Sequence, residues 1–88
     1  MIKIVVPSVW SPDGHTVYDA DEGPLPEVMR RFADEHPWIK GRLFGPEGKP
    51  LLYINLCVND DMVPRQKRDA TVVEAGSTVT VLAPMAGG

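Results

Sequence analysis

With 88 residues, 43% of them hydrophobic and 7% aromatic, the chain has material for one compact domain with a modest stability margin. A formal net charge of −3 and a pI near 5.2 exclude a broad basic surface, so no nucleic-acid partner is expected. A single cysteine excludes an internal disulfide, and no Cys/His grouping has zinc spacing, so no metal site is expected.

The first run, Ile-Lys-Ile-Val-Val at residues 2–6, is β-rich and is closed by Pro7, which cannot donate to a ladder. It is too short for a signal sequence and far too short to span a bilayer, so no membrane partner and a cytoplasmic location are expected. Ser-Pro-Asp-Gly at 11–14 is turn chemistry, and residues 15–19 read as the returning arm of a hairpin. From Leu25 the period changes. Leu25, Val28, Met29, Phe32 and Ala33 recur at helical spacing, with Glu27, Arg30, Arg31, Asp34 and Glu35 around the other side. Pro24 and Pro26 fit a first turn, where a missing N–H costs least, and Pro37 stops the helix near His36.

Residues 51–58 form the next strand, with Ile54, Leu56 and Val58 on one face and Tyr53, Asn55 and Cys57 on the other. Asn-Asp-Asp at 59–61 turns the chain into a very short strand at Met62 and Val63. The basic run at 64–68, with Arg65, Lys67 and Arg68, reads as solvated loop. Residues 71–76 form a turn leading into a last strand at 77–82. There Val79 and Val81 share one face, and Thr78, Thr80 and Leu82 the other. The order is ββαβ(β)β, an α+β arrangement in which one main helix packs on one face of a mixed sheet.

No constellation for self-contained catalysis emerges. Cys57 lies mid-strand without a helix N-terminus or basic neighbour to lower its pKa, so a packed structural thiol is the expectation. His15 and His36 have no metal-ligand spacing, and His36 suits a helix C-terminus as a cap compatible with the dipole. Ser8, Ser11 and Ser77 sit in no nucleophile motif. The outward sheet face is less ordinary, because it carries Val5, Cys57 and Leu82, with Met85 just beyond, where clean alternation would place polar groups.

Three stretches carry a family resemblance: Ile-Asn-Leu-Cys-Val-Asn-Asp at 54–60, Glu-Ala-Gly-Ser-Thr-Val-Thr-Val-Leu at 74–82, and Ala-Pro-Met-Ala-Gly-Gly at 83–88. With the element order they resemble the β-grasp, ubiquitin-like fold, and within it the MoaD/ThiS family of sulfur carrier proteins. The tail is most similar to that of CysO-type carriers. The resemblance implies a β-grasp domain over residues 1–83 and a flexible tail over 84–88. It implies a protein co-substrate, not an enzyme, with no bound cofactor. A MoeB/ThiF-like adenylating enzyme of the ubiquitin-activating type would use ATP to convert the Gly88 carboxylate into an acyl-adenylate. A sulfur donor would then displace AMP and leave a thiocarboxylate on Gly88. A sulfur-accepting synthase making cysteine or another sulfur metabolite would consume it. Other outcomes consistent with the same resemblance are a ubiquitin-like modifier conjugated to lysines and the small subunit of a molybdopterin-synthase-like complex.

The residue types suit that chemistry. A carboxylate that must reach the α-phosphate of ATP inside another protein passes through a narrow cleft. Gly87 has no Cβ to obstruct it and adopts whatever backbone the cleft demands. Ala86 is the next smallest choice. Pro84 ends the ladder and stiffens the base of the tail. In the family the adenylating enzyme docks on the outward sheet face, which assigns partner contact to Leu82, Met85, Val5 and Cys57.

Overall fold

Alternation along β1 (Ile2–Val5) buries Ile2 and Ile4 and leaves Lys3 in solvent. The computed structural model describes residues 1–45 and 54–83. After Pro7 the chain makes a 3₁₀ turn over Ser8–Trp10, then returns as β2 (Val17–Ala20), antiparallel to β1. The hairpin expected from the sequence is present, its second arm starting two residues later and ending one residue later than expected. Gly14 closes the connection at φ +80°, a left-handed conformation that L side chains rarely adopt. A two-residue strand, β3 (Gly23–Pro24), then leads directly into α1 (Leu25–Glu35).

The apolar stripe of α1 is the one its spacing implies: Leu25, Val28, Met29, Phe32 and Ala33 are all buried. Pro26 lies in the first turn, where its missing N–H removes no helical bond. The helix ends before Pro37, and the His36 ring caps it, Nδ1 donating to the Phe32 carbonyl at 3.1 Å. Pro37 also opens a second helix, α2 (Pro37–Leu43), which turns Ile39 and Leu43 into the core.

Strand β4 (Asn55–Val58) hairpins into β5 (Asp61–Val63) through Asn59 and Asp60. Asn59 sits at φ 56°, which asparagine tolerates better than most residues. Its Oδ1 also accepts the Thr78 N–H at 3.1 Å, fastening this turn to the last strand. A 3₁₀ helix over Arg65–Ala70 precedes β6 (Val72–Val73), which pairs with β3, and β7 (Thr78–Leu82) completes the fold. The main sheet runs β2-β1-β7-β4-β5, with β7 parallel to β1 and antiparallel to β4. Both helices lie on one side, over Ile2, Ile4, Leu56, Val79 and Val81.

The basic run departs from its sequence reading. It is helical, not loop, and Arg68 is buried at 9% exposure, with its Nη2 donating to the Ile54 carbonyl. Its Nε has no hydrogen-bond partner among the described residues, and burial, with Arg65 nearby, pushes the guanidinium below its ordinary pKa. Arg68 therefore helps hold the start of β4 and is withdrawn from the surface that Arg65 and Lys67 occupy. Tyr53 and residues 51–52 of the expected strand, with the tail at 84–88, lie outside the described residues.

Candidate functional site

Strand register decides which side chains share the outward face. Val17 pairs with Val5, Val5 with Thr80, Thr80 with Cys57, and Cys57 with Met62. Directly paired residues point to the same side of a sheet, so these five form one uncharged row across all five strands. Leu82 and Asn55 pair in the next row, toward the end of β7. In the opposite direction lie Asp19, Lys3 and Thr78, where Lys3 Nζ bonds Asp19 Oδ1 at 2.5 Å. The face thus grades from an ion pair at the start of β7 to uncharged, largely apolar surface at its end. Beyond Ala83 the chain continues into 84–88 from that apolar end.

Exposure follows the same alternation. Val79 and Val81 are 0% and 2% exposed on the helix side, whereas Leu82 is 39% exposed on the other. Met62 at 57% and Val17 at 42% belong to the outward row and were missed from the sequence. Period-2 reading of residues 17–20 and 61–63 carries that signal, but only once pairing with β1 and β4 fixes which side each faces. Val5, Cys57 and Leu82 do come together on this face, as expected, with Val5 and Cys57 half-buried. Met85, Pro84, Ala86, Gly87 and Gly88 lie outside the described residues.

Cys57 sits between Thr80 and Met62, with no charged side chain paired to it. Such a thiol behaves as a small hydrophobe. Cys57→Ser is expected to fold as the parent does and to lose at most about 1–2 kcal/mol of stability, since a half-buried hydroxyl replaces a packed sulfur. Denaturant melts check this, and a loss well beyond that range would show that the thiol is packed more tightly than its half-buried position implies.

The two histidines, distant in sequence, both pack on Tyr18, at 5.0 Å for His15 and 4.8 Å for His36. Phe32, edge-on to Tyr18, and Trp38, tilted against it, complete this aromatic cluster on the helix side of β2. It is packing, with His36 engaged as the helix cap. Among the described residues no group of His, Cys, Asp or Glu could hold a metal ion, and no helix is long and apolar enough to cross a membrane.

The ThiS family profile matches residues 15–88. No curated protein matches the chain. Among solved structures, CysO in the BexX/CysO complex of Amycolatopsis orientalis is 28% identical over 100% of both chains, with a TM-score of 0.81. CysO of Mycobacterium tuberculosis, described as an antigen, is 26% identical over 97% of this chain and 100% of its own, with a TM-score of 0.80. SAMP1 of Haloferax volcanii, 18% identical over 99% and 98%, has a TM-score of 0.78 and shows the shared fold alone.

A mixed β-grasp sheet covered on one side by helices, ending in a strand that hands over to a glycine tail, is the frame of a small carrier protein. The chain belongs to the ThiS family. It is a sulfur carrier of the ThiS/MoaD/CysO type, a co-substrate whose C-terminal region a partner enzyme activates and thiocarboxylates.

Proposed function

We propose that Gly88 carries the sulfur, that Pro84, Ala86 and Gly87 thread the tail into the partner, and that the outward face docks it. Residues 1–83 are then the folded body and 84–88 the flexible arm. A Gly88 carboxylate oxygen attacks the α-phosphate of ATP within an adenylating enzyme of the MoeB/ThiF kind, forming the acyl-adenylate and releasing pyrophosphate. A sulfur nucleophile adds to the carbonyl and expels AMP, leaving the thiocarboxylate. Ionised at neutral pH and more nucleophilic than a carboxylate, it gives its sulfur to a synthase, and the carboxylate returns for another cycle. Cysteine or another sulfur metabolite is the product class.

One observation supports this reading: the outward face loses its charge toward the end of β7, where Leu82 and the row from Val17 to Met62 lie on the side of the sheet toward Ala83. Removing that surface from water supplies binding energy that offsets the cost of ordering a glycine-rich arm. Leu82, Val5, Cys57 and Met85 form the contact, with Val17 and Met62 extending it. The association of a similar CysO with BexX supports docking of the folded body on a protein partner.

The test is the intact mass of the protein isolated from its native cell. Exchange of one oxygen for sulfur, localised to Gly88 by fragmentation, is expected. Stable isopeptide adducts on lysines with no thiocarboxylate would replace this reading with protein modification.

A further inference from the structure

The 3₁₀ turn over Ser8–Trp10 lies off the outward sheet face, yet it displays the most exposed large apolar side chain among those described. Val9 is 83% exposed. A single exposed valine usually means nothing. Two features separate this one: where it sits, and how rigidly it is held.

Its place follows from register. Strands β1 and β7 run parallel, with Ile4 beside Val79 and Val5 beside Thr80. Continuing the two chains in step brings the segment after Val5 alongside the residues after Thr80. The Ser8–Trp10 turn therefore stands at the end of the sheet from which residue 83 leads into the tail. A protein that takes up residues 84–88 approaches the fold from that end.

Its rigidity follows from the bonds around it. Trp10 N donates to Pro7 O at 3.0 Å and Ser11 N to Ser8 O at 3.2 Å, closing the turn on both sides of Val9. Trp10 packs against the core with the Arg42 guanidinium 5.7 Å from its ring centre, so the neighbour of Val9 is an anchor. Downstream, Asp13 Oδ1 accepts from His15 N at 3.0 Å and from Ser11 Oγ at 2.8 Å, and these bonds hold its carboxyl below the usual carboxylate range. Ser11 Oγ also meets Tyr18 Oη at 3.2 Å. An apolar side chain shown to solvent on an immobilised turn loses little entropy when buried by a partner, which suits it to be a contact residue.

We propose that Val9 is a recognition residue for the adenylating enzyme, entering an uncharged apolar pocket at the mouth of the cleft that receives the tail. The proposal rests on the tail-activation reading above and extends its contact from the sheet face to the β1–β2 turn. Covering Val9 removes from water an apolar side chain at the end of the sheet where β7 passes into Ala83.

The experiment measures ATP–pyrophosphate exchange by the adenylating enzyme that activates the parent chain, as a function of carrier concentration. Val9→Asp is expected to raise the KM for the carrier about tenfold or more, with kcat at saturation little changed, because an interaction removed equally from ground state and transition state shows in KM. Val9→Leu is expected to behave as the parent. Val72 is the matched control: it is 62% exposed, and lies two residues before the turn whose Gly76 N bonds Met1 O, at the other end of β1 and β7. Val72→Asp should leave KM unchanged. Circular dichroism melts verify folding, and Val9→Ser serves if the aspartate disturbs the turn. An unchanged KM for a folded Val9→Asp protein overturns the proposal, while activation of the parent leaves the tail reading standing. Normal activation combined with slowed sulfur release to the acceptor would also overturn it, because the pocket would then belong to the synthase. No activation of the parent by any adenylating enzyme of its own cell would remove the tail reading and this one together.

Discussion

Val81→Asp is expected to leave the chain unfolded at ambient temperature, while Leu82→Asp, one residue along, melts within about 3 °C of the parent. Val81 is 2% exposed and packs beneath the helices beside Val79 and Leu56. A carboxylate there is stripped of water among the apolar side chains of the core, and its desolvation costs several kcal/mol whether it stays charged or takes up a proton. A domain of this size has about 5–10 kcal/mol to lose. Leu82 points to the other side, already 39% exposed, so its replacement stays in water. The cost of Leu82→Asp appears only on docking, when the partner must strip water from that charge. The expected signature is a raised KM for the carrier with a smaller change at saturation. Thermal melts and exchange kinetics on both variants check the pair. Equal unfolding would reverse the face assignment, and an unchanged KM for Leu82→Asp would move docking off this face.

Deleting Gly88 is expected to abolish pyrophosphate release while the melting temperature stays unchanged. The reacting carboxylate moves back by one residue, and proximity at the α-phosphate is lost with it. Effective molarities in well-oriented sites are large enough that a displacement of one residue, about 3.5 Å of chain, removes most of the acceleration. Gly87→Leu keeps the carboxylate in place but adds a side chain in the cleft, and should be nearly as damaging. The body is expected to fold normally in both, because the core residues described all precede residue 84. Parental pyrophosphate release from the truncated protein would show that the tail is not the reacting group.

The parts legible in the sequence were those written in a local period. The buried stripe of α1 and the alternation of β7 need only neighbours three, four or two residues away, and both read correctly. Helix α2 was not legible. Pro37 ends one helix and occupies the first turn of the next, and seven residues with only Ile39 and Leu43 inward give too little period to recognise. Arg68 was misread because its surroundings in sequence are basic, while its hydrogen-bond partner, the Ile54 carbonyl, lies fourteen residues away. The pairing of Gly23–Pro24 with Val72–Val73 is too short to leave any pattern. At the candidate site Leu82, Cys57 and Val5 followed from alternation within their own strands. Met62 and Val17 needed the register between strands, which composition does not encode.

The placement of β7 also bears on mechanics. The tail continues from a central strand hydrogen-bonded to β1 on one side and β4 on the other. Because β1 runs parallel to β7, pulling the C-terminus away from the N-terminus loads their shared bonds in shear. Those bonds must then yield together, unlike the sequential peeling of a hairpin opened from its ends. A partner can therefore draw the tail hard into its cleft without unravelling the body. A motor that tried to unfold the carrier by its C-terminus would meet its stiffest element first.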